Sequence, residues 1–295
     1  MLDPRVDTFL TVCRTMNFTH AAQLLHLTQP AVSQHIHTLE EEFGAKFFRY
    51  ENRQLSFTES GKLFRRAATA MRHDALLLEE AIREQGKTLH LRFGATLTIG
   101  EYCMAAPLLQ LLRQEPDIQL EMHTANTQEL LSLLDAGEID FAIVEGNFDR
   151  QAYESRVFST QRFLPVAAPD YCFSQPVTTL DSLWGERLLV REPGSGTRNV
   201  LERALASRNL TVDSFARVTQ LGSLNLIKRL VLAGVGIAFF YQPVVEEELA
   251  SGKLREIPLA DCSLSHDFSF LWQRGSVFSP ELEKVFSLLQ NAQGA

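Results

Sequence analysis

The sequence is poor in cysteine, and the four thiols it has are scattered. Cys13, Cys103, Cys172 and Cys262 form no CxxC pair and have no histidine at metal-ligand spacing, which argues against a disulfide framework or a structural zinc. Folding could still bring two of them together, so a peroxide-sensing pair stays open. Also missing is an apolar run of the roughly 18–20 residues that a membrane-spanning helix needs. The opening MLDPRVDTFLTVCRTMNF carries two early acids and lacks the basic-then-apolar order of a secretion signal, which points to a cytoplasmic protein. No GxxxxGK[ST] loop, HExxH helix or GxSxG elbow occurs, and His90, His123 and His266 stand apart from one another. GVGIAFF, at 234–240, departs from the dinucleotide fingerprint and reads as a helix end followed by a strand. These absences weigh against an enzyme and against a bound metal or cofactor.

An excess of positive charge is missing too, since the net charge of the 295 residues is −8. Its distribution is uneven. Residues 1–88 hold eleven basic and eleven acidic side chains, so all of the acidity lies beyond them. Four of the eight histidines, His20, His26, His35 and His37, also fall in the first forty positions. A locally positive face on the N-terminal part is therefore compatible with the total.

What is present there is a compact helical pattern. Pro4 suits a first turn, and Val6, Phe9, Leu10, Val12 and Cys13 have helical apolar spacing. Asn17 and Phe18 interrupt it, and Thr19 reads as the cap of a short second helix through Ala21, Ala22, Leu24 and Leu25. After a tight turn at His26 and Leu27, Thr28 caps a third helix with Pro30 in its first turn. Val32, Ile36, Leu39 and Phe43 make its buried stripe and Gly44 ends it. Two helices joined by so short a turn form a helix-turn-helix, whose second member can enter the major groove. Its outer face carries Gln29, Ala31, Ser33, Gln34 and His37, of which Gln and Ser can hydrogen-bond base edges. The segment AKFFRYENRQLSFTESG then supplies Phe47 and Phe48 to a core and sets Arg49 and Arg53 around a polar turn, as in a wing that meets phosphate. A small helical protein-interaction module would share the helices.

The run FTHAAQLLHLTQPAVSQHIHTLEEEFGAKFF, with R-x-x-x-R and LSFTESG after it, closely resembles the N-terminal signature of LysR-type transcription regulators over about sixty positions. The resemblance implies base and phosphate contact at Gln29, Pro30, Ser33 and Gln34, and phosphate contact at Arg49 and Arg53. One departure is that the family carries arginines where His35 and His37 stand here. Imidazoles add less positive charge near neutral pH, so operator binding is expected to strengthen as these histidines take up protons.

From Ser60 to about Gln85 there is no proline, and Phe64, Ala67, Met71, Ala75, Leu78 and Ile82 recur on one face of a helix of about 25 residues, roughly 38 Å long. That face can pair with a second copy or dock on its own C-terminal part. The resemblance implies the former, since this family dimerises through its linker helix. The expected divisions are a winged helix-turn-helix at 1–59, a linker helix at 60–88 and an effector domain at 89–295.

Beyond Leu89, short apolar strands alternate with helices in two rounds, which implies two α/β lobes with mainly parallel sheets. The first lobe is expected at about 89–161 and 266–295, the second at about 162–265. EYCMAAPLLQLLRQ reads as one helix. Two strand-to-helix junctions invite an anion: GATLTIGEY, with Thr96 and Thr98, and EPGSGTR, with Gly194, Ser195, Gly196 and Thr197. Ordinary helix capping would use the same residues. Glu145 and Asn147, after a strand, and Ser223, before a helix, are further candidates.

This region resembles the two-lobed LysR effector domain, which is similar to periplasmic binding proteins. The resemblance implies an inducer held between the lobes by Thr96, Thr98, Ser195 and Thr197. EPGSGTR is especially similar to a branch that includes regulators of sulfur and inorganic-carbon assimilation. A pure carrier would leave the first 88 residues without a use, and an adaptor would not need the basic wing. The regulator reading uses every segment: a homodimer, doubling to a tetramer, that binds promoter DNA, works with RNA polymerase and responds to a small anionic metabolite.

Overall fold

The computed structural model describes residues 3–51, 54–83 and 90–291. The reader begins with α1 (Pro4–Thr15), capped by Asp3, whose carboxylate accepts the Arg5 N–H at 2.9 Å. It turns at Met16, in the left-handed region at φ 46°, into α2 (Phe18–Leu24). The cap of α2 is Asn17 rather than Thr19: its side-chain oxygen accepts from the Thr19 and His20 N–H groups at 2.9 and 3.0 Å. Residues that looked like a pattern break are thus the start signal of the helix. α3 (Gln29–Glu42) starts at Thr28, whose hydroxyl accepts the Ala31 N–H at 3.3 Å. It closes at Gly44, whose φ of +62° suits glycine.

The reader core is aromatic. Phe9 packs edge-on against Phe47 and Phe64, and the last two stack at 4.4 Å. Val32, Ile36 and Leu39 of α3 are buried as expected, but Phe43 is 57% exposed and only borders the core. The wing is a hairpin of β1 (Phe48–Glu51) and β2 (Gln54–Phe57). Glu40, buried near the end of α3, accepts the Phe47 N–H at 2.8 Å and the Lys46 ammonium at 2.6 Å, tying the wing to α3.

α4 (Glu59–Arg83) starts where the FTESG motif does its local work. Thr58 Oγ accepts the Gly61 N–H at 2.9 Å and donates to the Lys46 carbonyl at 2.5 Å. A Cβ at position 61 would meet the Phe47 carbonyl oxygen at 2.0 Å, so only glycine lets the helix rest on the wing. The apolar stripe of α4 has two fates. Phe64 and Ala68 join the reader core and His73 is sealed against the effector domain, whereas Ala67, Met71, Leu78 and Ile82 face out. Part of this helix therefore docks on its own chain, one of the two destinations considered, and part is uncovered. The boundary expected at residues 86–88 lies outside the described residues.

The effector domain contains β3 (His90–Thr96), α5 (Leu97–Tyr102), α6 (Ala105–Gln114), β4 (Gln119–Ala125), α7 (Thr127–Ala136), β5 (Phe141–Val144), β6 (Tyr153–Ala167), β7 (Arg187–Val190), α8 (Gly196–Ala206), β8 (Arg217–Gln220), α9 (Leu224–Leu232), β9 (Ala238–Tyr241), α10 (Gln242–Ala250), β10 (Arg255–Glu256), β11 (Leu264–Gln273) and α11 (Ser279–Asn291). The helix expected over EYCMAAPLLQLLRQ is two, α5 and α6, broken at Cys103 and Met104. The large sheet runs β10–β6–β11–β5–β3–β4, with β9 also on β6, and β7 pairs with β8 separately. Parallel pairing holds for β3–β4, β3–β5 and β7–β8. The expected parallel character fails along β6 and β11, which pair antiparallel from Tyr153–Gln273 to Phe163–Leu264. This long pair runs through both lobes, because the chain leaves the first along β6 and returns to it along β11. Among the described residues no helix is long and apolar enough to cross a membrane.

Candidate functional site

The reader presents α3 as expected. Thr28, Gln29, Pro30, Gln34 and His37 are exposed, and Ser33 is half-buried. The Gln29 amide donates to Ser33 Oγ at 2.9 Å and the Gln34 amide to Thr38 Oγ at 3.3 Å, so both are held along the helix and aimed outward. His37 lies 3.3 Å from Glu41 on the same face. His35 does not share it: its Nδ1 meets Thr8 Oγ at 2.9 Å, against α1. Arg49 projects from β1 beside Glu51 and Ser56, more than half exposed. Arg53 lies outside the described residues.

The second site is a hydroxyl cluster between the lobes. β3 ends at Thr96, α5 carries Thr98 in its first turn, and α8 begins after Ser195 with Gly196 and Thr197. All of these side chains are buried. Thr96, Thr98 and Thr197 converge on Glu145, just past β5, whose carboxyl group is sealed from solvent, whereas Ser195 makes no bond to it among the described residues. Thr96 donates to one carboxyl oxygen, and Thr98 and Thr197 reach the other at 3.3 and 3.1 Å. The two strand-to-helix junctions that lie about a hundred residues apart in sequence therefore meet, as their chemistry suggested. The acceptor between them is the protein's own carboxyl group.

Burial pushes the Glu145 carboxyl up towards its neutral form, against the opposing pull of the three hydroxyls and of Arg191. Gly196 is fitted to it, since a Cβ there would meet Glu145 Cγ at 2.5 Å. Behind it, His266 Nε2 donates to the Glu145 carbonyl at 2.7 Å, and burial lowers the pKa of that imidazole. Asn225 of α9 adds a second clasp, accepting from the Tyr102 hydroxyl at 2.6 Å and donating to Glu101 at 3.0 Å. These bonds hold the cleft closed. The gap bounded by Arg191, Thr197, Leu224 and Phe240 measures about 10 Å³, the space of about one water.

Asn147 and Gly194 stand apart from the cluster. They line an adjoining crevice of about 510 Å³ with Thr127, Gln128, Asp149 and Asn199. Ser223 joins neither; it is exposed, and its hydroxyl accepts the Leu226 N–H at the start of α9. Two residues that the pattern did not single out are Thr127 and Tyr241. Their hydroxyls are buried and meet no hydrogen-bond partner among the described residues. Thr127 faces the crevice, and Tyr241 is near enough to Glu145 for that charge to raise its phenol pKa, an effect secondary to burial. The four cysteines are free.

A winged helix-turn-helix with a polar outer face, joined by a long helix to a two-lobed α/β domain, defines a DNA-binding regulator with a module for a small molecule. Residues 5–62 match the family described as "Bacterial regulatory helix-turn-helix protein, lysR family", and residues 84–294 match "LysR substrate binding domain". The chain belongs to the LysR family of transcription regulators and is not an enzyme. It is 28% identical to the HTH-type transcriptional regulator CysL of Bacillus subtilis, covering 90% of this chain and 89% of that one. It is 26% identical to the RuBisCO operon transcriptional regulator of Allochromatium vinosum, over 92% and 90% of the two chains. Among solved structures, ArgP from Mycobacterium tuberculosis has a similar fold, with a TM-score of 0.66, 20% identity and coverage of 99% and 97%.

Proposed function

We propose that this regulator binds promoter DNA through Gln29, Pro30, Ser33, Gln34 and His37, with Thr28, Arg49 and Arg53 at the phosphates, and that a small anionic metabolite between its lobes controls the outcome. The observation that carries the effector reading is Glu145: three threonine hydroxyls from both lobes already surround a carboxyl group. A free carboxylate, sulfate-like or phosphate-like group has the acceptor chemistry to take that place. Its route is the crevice between Asn147 and Gly194, which Thr127 also lines. Arg191, buried and paired with Glu192 at 2.7 Å, supplies positive potential. Ser195 and Gly196 lie at the α8 N-terminus, where backbone dipoles favour negative charge. A ligand that favours one lobe arrangement over the other shifts the population of the two.

The protein acts in the cytoplasm as a homodimer that doubles to a tetramer, with RNA polymerase as its further partner. The uncovered side of α4, with Ile82 67% exposed, supports pairing with a second copy. Two readers held together call for a roughly two-fold symmetric operator and alter DNA bending when the lobes repack.

Recovery of genomic fragments bound by the purified protein tests the DNA reading: a few enriched, nearly palindromic promoter sites are expected, and uniform recovery overturns it. For the effector, acetate, sulfate and inorganic phosphate are titrated against wild type, Thr98→Ala and Thr197→Val. Weakening by ten-fold or more in both variants supports the cleft. Unchanged affinity in both removes it.

A further inference from the structure

A second cavity lies where the reader, the linker helix and the effector domain meet. It measures about 240 Å³ and is walled by Cys13 and Arg14 of α1, Arg65, Thr69 and Arg72 of α4, and Ser132 and Asp135 of α7. Three guanidinium groups converge on it from two helices. Arg14 is exposed and has no ion pair among the described residues. Arg65 is half-buried and rests over the Phe57 ring at 5.2 Å, which leaves its N–H donors to point elsewhere. Arg72 has a long contact of 3.6 Å to Asp7, itself about half exposed. The acid in the wall is Asp135, and one of its oxygens already accepts the Tyr153 hydroxyl at 2.8 Å and the Gln273 amide at 3.0 Å. The cavity therefore has more strong donors than acceptors, and its cations exceed its acids.

The geometry points to a binding site here for a small multivalent oxyanion of the phosphate or pyrophosphate class, distinct from the hydroxyl cluster between the lobes. Guanidinium groups suit such a ligand because each presents paired N–H donors to two oxygens at once. Three converging cations also repel one another, and a dianion relieves that repulsion. Part of the cavity wall is half-buried, so the attraction is screened less than on an open surface. The site touches α1, α4 and α7 together, so an occupant joins reader, linker and effector domain. Its charge pattern is the opposite of the inter-lobe cleft, where a buried carboxyl group already sits among the donors.

Calorimetry on the full-length protein at fixed ionic strength, with pyrophosphate as the titrant, reads the site. Wild type is expected to bind pyrophosphate, and in Arg14→Gln/Arg65→Gln the affinity should fall at least ten-fold. The single variant Arg14→Gln, on an exposed side chain, gives the same reading without risk to the fold, with an intermediate loss expected. Absence of pyrophosphate binding in wild type overturns the site, as does affinity that survives both substitutions.

Discussion

His73 of the linker helix and Asp140 of the effector domain are both sealed from solvent, with Nε2 and Oδ1 3.3 Å apart. Asp140 is anchored from its own side by the Arg92 backbone N–H at 2.7 Å and the Arg92 guanidinium at 3.5 Å. At the very next position, Asp74 accepts from Ser276 Oγ at 2.5 Å and the Val277 N–H at 3.0 Å. The linker helix is thus clamped to the first lobe, and movement of the second lobe is movement relative to the helix that carries the reader.

Asp140→Ala removes the carboxylate that meets the His73 imidazole and the Arg92 backbone N–H, and leaving buried polar groups unsatisfied costs about 1–3 kcal/mol for each of the two. His73→Ala leaves Asp140 its Arg92 bonds, so the cost falls to about 2 kcal/mol for the cavity and the lost contact. Urea unfolding of the two variants checks the order. Equal effects would mean that the pair contributes through packing alone.

Glu145 gives a pH signature. Its folded-state pKa is raised by burial, so the folded protein holds this proton more tightly than the unfolded chain does. Its stabilising contribution is complete below the unfolded carboxyl range and is lost as the pH rises through the folded value. Glu145→Gln removes that loss. We expect the variant to match wild type at low pH and to exceed it in melting temperature at and above neutrality. A constant difference at all pH values would contradict the assignment.

Glu40 is the hidden support of the wing. Glu40→Ala leaves the buried Phe47 N–H without its acceptor, a loss of about 1–3 kcal/mol, and frees Lys46 from its 2.6 Å contact. Thermal unfolding and operator affinity should fall together, because the wing loses its tie to α3.

The proposed base contact of Gln34 and phosphate contact of Arg49 are separated by specificity measurements. Gln34→Ala is expected to reduce discrimination between operator and mismatched DNA by about 1–3 kcal/mol. Arg49→Ala should weaken binding to all sequences alike and reduce the salt slope by about 1. Affinity measured on matched and scrambled duplexes at several salt concentrations distinguishes them.

Much of this arrangement was legible in the residues, and the exceptions have physical reasons. Thr96, Thr98, Ser195, Gly196 and Thr197 stood out because small hydroxyl residues and glycine at strand-to-helix junctions are a local signal. Thr127 opens an ordinary polar helix start and Tyr241 ends an apolar strand, and only tertiary packing leaves their hydroxyls without partners among the described residues. His266 reaches the Glu145 carbonyl across 121 residues, a separation that no spacing rule encodes. The antiparallel β6–β11 pair was misread because an apolar run specifies a strand but not its direction. Asn17 was misread because a cap lies outside the helical periodicity that reveals its helix.

The histidines of α3 make the last case. Of the two, only His37 lies on the exposed face of α3 that carries Gln29 and Gln34, since His35 is engaged with Thr8. A pH effect on operator binding should therefore reside in His37 alone. His37 lies 3.3 Å from Glu41 on the exposed face of α3, where added positive charge would favour phosphate. Fluorescence anisotropy at constant ionic strength should find operator affinity rising several-fold between pH 8 and pH 6 in wild type. His37→Gln should flatten that profile, and His35→Gln should preserve it. A flat wild-type profile would exclude the effect, and a pH dependence that persists in His37→Gln would move it to another group.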